Sequence, residues 1–200
     1  MSQARILTDL EYRRVLLHIS KKSHAPRNKA MLYMSHLGGM RCGEIASLKI
    51  SDVLTSEGKI KDEIYLTPNQ TKGSRSRTVV LCEKLQKELF SYLCARFNLK
   101  ELKAVTLTDT SKALFYSAKN SQRGFSPNTL SQWFGTLFRQ VGIAGASSHS
   151  GRRFFATKIC ENGVNPKIVQ NLLGHRQLQT TMLYYEVSPK SMRSAVELMS

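Results

Sequence analysis

Apolar residues recur every three or four positions over much of the chain, which is the spacing of one face of a helix. The first such stretch opens with Thr8-Asp9-Leu10-Glu11, where Thr8 can cap a helix and Glu11 can reach back to complete a capping box. The same spacing, with Gly and Pro near the ends, predicts further helices. They cover about 28–37, 44–49, 83–97, 127–141, 151–161, a stretch from 166, 177–185 and a last segment, Lys190 to Leu198.

Two shorter stretches have strand character. Residues 60–66 and 77–82 are rich in Ile, Tyr, Thr and Val, which favour strands. Between them lies TPNQTKGSRS, whose Pro, Asn and Gly are typical of a hairpin loop. A turn is predicted at Ser51-Asp52, and a turn-bearing surface loop at FYSAKNSQRGFS. The pattern therefore predicts a mainly α protein with a small antiparallel β-sheet (α+β), without an internal domain boundary.

The charge balance narrows the function. Thirty Lys and Arg against 14 Asp and Glu leave a net charge of +16, which attracts polyanions, most commonly DNA or RNA. Ribosome-associated proteins and binders of anionic membranes share this charge. No apolar run approaches the ~20 residues that cross a bilayer, and the N-terminus does not read as a signal peptide. We expect a cytoplasmic, nucleoid-associated protein that does not bind membranes.

The cysteines and histidines give little support to metal chemistry. The four cysteines are far apart in the sequence and form no CxxC pair, and the histidines do not complete a zinc spacing. In an intracellular chain of this size they are expected to be reduced and mostly buried thiols. The sequence therefore predicts no metal and no cofactor.

Four segments carry the candidate chemistry: GGMRCGEI, TKGSRSR, SHSGRR and LGHRQLQTTMLYYEV. Their order and content resemble the catalytic domain of the tyrosine recombinases, or phage integrase family. The resemblance runs from Leu7-Thr8 to the tyrosine segment and depends on all four motifs in order, since each alone is weak. It implies the tyrosine recombinase catalytic-domain fold, and DNA strand cleavage and rejoining without metal or ATP.

The motifs assign candidate catalytic residues one by one. The resemblance implies these six: Arg41, Lys72, His149, Arg152, His175 and Tyr184. Tyr184 follows His175 by nine residues, the family's spacing for the nucleophile. The chain departs from the family pattern at Gly151, where leucine is usual, and at Tyr185-Glu186 after the nucleophile. The first departure bears on local helix packing more than on the chemistry.

Two arginines suit the stabilisation of a phosphate. Metal-free cleavage of a phosphodiester requires the protein to neutralise charge on the non-bridging oxygens. Guanidinium groups do this with bidentate hydrogen bonds and stay charged at any working pH. We therefore expect Arg41 and Arg152 to hold the phosphate. His149 precedes Arg152 by three residues and shares its helix face, and the serines at 147, 148 and 150 suit a helix start that favours a phosphate.

The other polar residues divide between acid–base chemistry and DNA contact. A neutral His149 is expected to help remove the tyrosine proton, and Lys72 to protonate the departing 5′-oxygen. His175 is expected to hydrogen-bond the phosphate, and Glu44 to orient an arginine or to cap structure. Three further arginines are expected to contact DNA phosphates: Arg75, Arg77 and Arg153.

Several alternatives stay open at this point. Each candidate residue alone would more often be an ordinary surface or structural residue. A type IB topoisomerase resembles this family in using two arginines, a lysine, a histidine and a tyrosine. A DNA-binding accessory or regulatory protein of the same fold is a third possibility. We expect double-stranded DNA as the partner, a homo-tetramer when sites are synapsed, and an accessory protein that bends or clamps DNA.

The domain organisation is unusual for this family. Its members commonly carry an additional N-terminal helical DNA-clamping domain, whereas this chain starts almost directly at the catalytic domain. We therefore expect residues 1–200 to form a single catalytic domain, from a naturally small recombinase or from a truncated chain. The segment Lys190 to Leu198 could reach a partner subunit.

The two adjacent tyrosines are expected to differ in role. At 100° per residue, Leu178, Thr181, Met182 and Tyr185 form one stripe of a helix. Tyr184 points away from this stripe. The pattern predicts that Tyr185 packs against the protein and that Tyr184 is the nucleophile.

Overall fold

A computed structural model describes residues 4–105, 107–117, 120–185, 192–193 and 196–197. The chain divides into two compact units, Met1–Phe155 and Ala156–Ser200. The predicted segment Lys190 to Leu198 falls mostly outside the described residues. No helix in the described part of the chain is both long and apolar enough to span a bilayer.

The first unit is mainly helical. Its helices are α1 (Asp9–Ser20), α2 (Ala25–His36), α3 (Cys42–Ser47), α4 (Ile50–Val53), α5 (Glu83–Phe97), α6 (Leu107–Thr110) and α7 (Pro127–Gln140), followed by the start of α8 (Ser150–Glu161). The predicted capping box of α1 is confirmed, since the Glu11 amide donates to the Thr8 hydroxyl and the Thr8 amide donates to the Glu11 carboxylate. The Ser126 hydroxyl caps α7 by accepting from the Thr129 amide at 3.1 Å.

The core of this unit surrounds α2. Nine of the twelve residues of α2 are buried, so this helix is enclosed rather than amphipathic. It packs against α1, α5 and α3. The C-terminal end of α2 leads directly into the segment that carries Arg41, so this enclosed helix supports the first candidate catalytic residue.

The predicted hairpin is confirmed. Strand β1 (Glu63–Leu66) pairs antiparallel with β2 (Arg77–Val80), and Leu66 lies opposite Arg77. Ile64, Leu66 and Val79 are buried, whereas Tyr65 and Val80 face outward, as period-two alternation requires. The mainly α class with a small antiparallel sheet is thereby confirmed.

Two local predictions were wrong. Ser51-Asp52 lies in helix α4 rather than in a turn, because the Asp52 carboxylate accepts from the Lys49 amide at 2.8 Å and caps the helix that contains it. The loop predicted at residues 115–126 contains a second antiparallel pair, β3 (Tyr116–Ser117) and β4 (Asn120–Gly124). Its polar sequence has little strand propensity. Tertiary contacts decide the conformation instead, since the buried Arg27 donates to the Tyr116 carbonyl at 2.9 Å.

The second unit contains the rest of α8, then α9 (Pro166–Leu173) and α10 (Leu178–Met182). The Asn165 side chain accepts from the Lys167 amide and caps α9, which ends at Gly174. Helices α9 and α10 pack against each other. The predicted helix over 177–185 is shorter than expected and ends at Met182, so both tyrosines lie beyond it.

Candidate active site

Arg41 is held at the start of α3 by a glutamate from the same helix. Its backbone amide donates to Glu44 Oε2 at 2.8 Å, and its Nη1 donates to Glu44 Oε1 at 2.9 Å. The Glu44 side chain is 1% exposed and that of Arg41 is 26% exposed. One edge of the Arg41 guanidinium is therefore fixed in the interior while part of the side chain reaches the surface, which is the arrangement needed to present a charge to a phosphate.

Glu44 also binds Arg77. The Arg77 Nε and Nη2 atoms donate to the two carboxylate oxygens at 3.1 and 2.6 Å. Desolvation by burial opposes ionisation of Glu44 most strongly, but the hydrogen bonds and charges of Arg77 and Arg41 together hold the pKa of this carboxyl below its ordinary value. Glu44 is therefore a buried carboxylate shared by two guanidiniums.

This pairing corrects the prediction that Arg77 is a phosphate clamp. Its side chain is only 6% exposed and forms a bidentate pair with Glu44. A buried guanidinium paired in this way is placed to hold the carboxylate rather than to contact a DNA backbone. In the sequence, Arg77 is only a basic residue near Lys72. Its burial at the start of β2 depends on the tertiary structure.

Arg152 is anchored to the end of α2. Its Nη1 donates to the Gly39 carbonyl at 2.8 Å, and the residue is 5% exposed. Gly39 has φ of +59°, and a Cβ there would lie 2.5 Å from the Phe155 ring, so only glycine fits. The Gly38-Gly39 pair thus ends α2, as the sequence predicts, and it also supplies the acceptor that positions Arg152.

His149 lies in a strongly cationic environment. Desolvation, followed by the charges of Arg152, Arg41 and Lys72, holds the pKa of His149 below its ordinary value of 6.5. The structure therefore brings four of the predicted residues into one electrostatic neighbourhood of the first unit, with His149 neutral at pH 7.

Lys72 and Arg75 lie in the loop between β1 and β2, and both are exposed. The Thr71 hydroxyl donates to the Arg75 carbonyl at 2.6 Å and accepts from the Arg75 amide at 3.2 Å. Gly73 and Ser74 both have positive φ. The loop is thus a tight turn that presents two cations. Arg153 donates to the Ala4 carbonyl, and its DNA contact, like that of Arg75, stays a prediction.

Gly151 departs from the family pattern because α8 approaches α2 closely. A Cβ at this position would lie 2.2 Å from Ser35 Oγ and 2.6 Å from His36 Nδ1. Both residues are buried, and His36 Nδ1 is bonded to the Leu32 carbonyl at 3.2 Å. A leucine has no space here. The glycine lets the turn that carries Arg152 lie directly against α2.

We expect Gly151→Ala to lower the free energy of unfolding by about 1–3 kcal/mol, because an added methyl overpacks a tight contact. Urea unfolding measures this change. Ser35→Ala is the matched control, since Ser35 Oγ is buried and has no hydrogen-bond partner among the described residues. Ser35→Ala alone is expected to be nearly neutral and, combined with Gly151→Ala, to restore part of the loss. Additive effects of the two substitutions would contradict this explanation.

In the second unit, Thr181 holds His175 and Tyr184 together. His175 Nδ1 lies 2.9 Å from the Thr181 hydroxyl, and the Tyr184 amide donates to the Thr181 carbonyl at 3.0 Å. The two rings are nearly parallel, with centroids 6.1 Å apart and planes at 14°. Thr181 is completely buried. The sequence shows the Thr-Thr pair, but the role of the second threonine follows only from the fold.

Tyr185 is engaged with its own unit. Its hydroxyl donates to the Val164 carbonyl, and desolvation together with the Cys160 thiol raises the pKa of Tyr185 to about 12. No described residue of this unit hydrogen-bonds the Tyr184 hydroxyl. The Tyr185 hydroxyl is thus engaged by the protein, which favours the predicted division of roles.

The helical-stripe argument for that division was wrong. Helix α10 ends at Met182, so the 100° rotation does not extend to Tyr184 or Tyr185. Within the stripe, Thr181 is buried, but Leu178 is 40% and Met182 46% exposed. The hydrogen bond from Tyr185, rather than its place on a helix face, is what distinguishes the tyrosines.

A metal site is not apparent in the described part of the chain, where no group of three or more His, Cys, Asp or Glu side chains is placed to hold an ion. The charged groups of the first unit are instead mainly cationic. This arrangement suits the binding of an anionic group directly by side chains.

Comparison with known proteins identifies relatives of the whole chain. Tyrosine recombinase XerA of Pyrococcus furiosus is 31% identical over 192 residues, which cover 96% of this chain and 60% of that protein. The crystal structure of XerA recombinase has a TM-score of 0.72 at 26% identity and covers 100% of this chain and 66% of that one. The chain thus spans less than two thirds of these relatives.

A further structure supports the fold. The XerH site-specific recombinase bound to its difH substrate has a TM-score of 0.68 at 21% identity, covering 98% of this chain and 54% of that one. These likenesses confirm the predicted tyrosine recombinase fold. The model of the phage integrase family matches residues 5–191, nearly the whole length. The chain belongs to the phage integrase family.

Proposed function

We propose that the protein is a site-specific DNA recombinase that cleaves and rejoins a DNA strand through Tyr184. The observation that carries this proposal is the set of cationic side chains anchored in the first unit. Arg41 is held by Glu44 and Arg152 by the Gly39 carbonyl. Two positioned guanidiniums with a neutral histidine and an exposed loop lysine suit phosphoryl transfer, which depends on positioning and charge stabilisation.

The reaction balances without metal or ATP. The Tyr184 oxygen attacks the phosphorus and the bond to the 5′-oxygen breaks, which leaves a 3′-phosphotyrosyl enzyme. Neutral His149 accepts the tyrosine proton, and the Lys72 ammonium donates a proton to the departing oxygen to give a free 5′-hydroxyl. His175 donates a hydrogen bond to the phosphate. Attack by a 5′-hydroxyl of a second strand reverses these steps and exchanges strands.

The partner in this proposal is double-stranded DNA, bound by a tetramer when two sites are synapsed. The charge of +16 and the exposed Lys72 and Arg75 support the DNA partner. Affinity is expected to fall steeply with salt, because each neutralised phosphate releases counterions. The proposal also includes an accessory protein that bends or clamps DNA.

The function is tested by mapping covalent adducts. The protein is incubated with DNA fragments from around its own gene, the reaction is stopped with detergent, and the protein-linked 3′ ends are sequenced. The proposal expects linkage at one or a few defined phosphates and joined products from two fragments. Relaxation of supercoiled plasmid without joined products would instead indicate a topoisomerase, and binding without any adduct would indicate a DNA-binding protein.

The pH dependence of cleavage tests the role of His149. Because its pKa is held below 6.5, the neutral base persists as the pH falls through that value. We expect the second-order rate constant of adduct formation, which reports the free enzyme, to decline only below pH 6.5. His149→Gln is the control and is expected to be slow and to lack this acid limb. A decline centred above pH 6.5 in the wild type would contradict the assignment.

A further inference from the structure

The loop that carries Lys72 is attached to α3 on both sides. We call residues 71–76 the lysine loop. On its N-terminal side, Gln70 ends a single 3₁₀ turn (Pro68–Gln70). Gln70 Nε2 donates to Asp52 Oδ2 at 2.9 Å and to the carbonyl of Ser47, the last residue of α3, at 3.5 Å. The entry to the loop is therefore tied to Asp52 of α4 and, by a longer bond, to the C-terminal end of α3.

On the C-terminal side, Arg77 supplies the second attachment. Its bidentate pair with Glu44, at 3.1 and 2.6 Å, is buried. Glu44 lies in the same α3 helix and also binds Arg41 through its Oε1 atom. The exit of the loop is thus joined, through one carboxylate, to the arginine that opens α3.

Between these attachments the loop has few other constraints. Its residues from Lys72 to Ser76 are exposed, and the Thr71 hydroxyl closes the turn on Arg75. A lysine side chain is a flexible stem with a point charge. A functional group on a loop is less well positioned than one on a helix unless supporting contacts fix it. The position of the Lys72 backbone relative to Arg41 therefore depends on the two attachments.

We propose that Gln70 and Arg77 are positioning residues that fasten the lysine loop to α3, so that Lys72 reaches the leaving oxygen of the phosphate that Arg41 holds. This inference rests on the proposed function, in which Lys72 is the general acid. Neither residue contacts DNA in this role. Their effect on cleavage passes through Lys72.

The test compares two leaving groups at the mapped cleavage phosphate. In one DNA the bridging 5′-oxygen is retained, and in the other it is replaced by sulfur. A thiolate is a much weaker base than an alkoxide and leaves without a proton, so the sulfur substrate does not need Lys72. Single-turnover rates of adduct formation are measured for wild type, Gln70→Ala, Arg77→Lys, Lys72→Ala and Arg41→Ala.

We expect Gln70→Ala and Arg77→Lys to cleave the oxygen substrate roughly tenfold more slowly than wild type, since small misplacements of a catalytic group are costly. On the sulfur substrate both are expected to recover to within about twofold, as is Lys72→Ala. Arg41→Ala is expected to stay slow on both. Gln70→Ala added to Lys72→Ala is expected to cause no further loss, because both act through one group.

Gln70→Ala keeps the test decisive if Arg77→Lys fails to fold, because Gln70 is half-buried and its loss orphans no buried charge. Lys87→Ala, in the exposed α5 pair with Glu83, is the neutral control. Equal rates for Gln70→Ala and wild type on the oxygen substrate, or equal losses on both substrates, would overturn the inference. If wild type forms no adduct, the proposed function fails and the inference fails with it. If wild type forms the adduct but Gln70→Ala gives either of those results, only the inference fails.

Discussion

Replacement of Tyr184 by phenylalanine is expected to abolish the covalent protein–DNA adduct, with a loss of more than about 10⁴-fold in cleavage rate. The substitution removes only the hydroxyl oxygen that attacks the phosphorus. The parallel ring contact with His175, 6.1 Å between centroids, is retained, and so is the backbone bond to Thr181. Adduct formation is measured on the mapped DNA site after denaturation, and DNA binding by mobility shift is expected to persist.

Tyr185→Phe is the matched control for this result. It removes an adjacent hydroxyl of the same kind, which donates to the Val164 carbonyl. We expect it to lower the free energy of unfolding by about 1 kcal/mol, the net contribution of one hydrogen bond, and to leave cleavage nearly unchanged. An adduct that survives in Tyr184→Phe but is lost in Tyr185→Phe would reverse the assignment of the nucleophile.

Glu44→Ala is expected to lower the free energy of unfolding by about 3–5 kcal/mol, because it leaves the buried guanidinium of Arg77 without its carboxylate. The Arg77 side chain is only 6% exposed, so little water replaces the lost partner. Urea unfolding at pH 7 measures the change. Lys87→Ala serves as the control, since an exposed pair contributes little. An unchanged unfolding midpoint for Glu44→Ala would show that the pair is not important for stability.

The same carboxylate makes stability depend on pH in one direction. The pKa of folded Glu44 lies below its ordinary value of 4.5, so the ionised form contributes stability above that value. This contribution is lost as the pH falls through the folded pKa. We expect Glu44→Gln to be less stable than wild type at pH 7 and to show a smaller loss of stability between pH 5 and pH 3. Equal pH dependence of the two proteins would contradict this linkage.

The candidate site residues came from the resemblance of four ordered motifs to the tyrosine recombinases. Arg41, Lys72, His149 and Arg152 lie in three separate motifs of the sequence, and the charges of the three cations act together on His149 in the first unit. The bounds of α5, the start of α9 and the β1–β2 hairpin were predictable from apolar spacing, Pro and Gly. The catalytic roles of these four residues stay predictions that the adduct experiments test.

Other features depended on contacts between distant residues. Arg77 looks like a surface cation because it follows the lysine loop, but its guanidinium is buried by its bidentate pair with Glu44 of α3. In the sequence, Gly151 is only a departure from the family pattern. In the structure, Ser35 and His36 lie so close that they leave no space for a side chain at this position. The pairing of β3 with β4 likewise has no signal in its polar sequence.

The sequence by itself determined most of the helices, the β1–β2 hairpin and the cationic character, and its resemblance to the tyrosine recombinases supplied the candidate catalytic residues. These depend on local periodicity, charge and motif spacing, which are properties of the chain. The tertiary structure decided which cations are surface groups and which are internal supports. It also decided why residue 151 is glycine, and that Tyr185 is bound to a neighbouring carbonyl. Those properties depend on burial and on partners far away in sequence, because the same side chain behaves differently when its hydrogen-bonding and solvent environment changes.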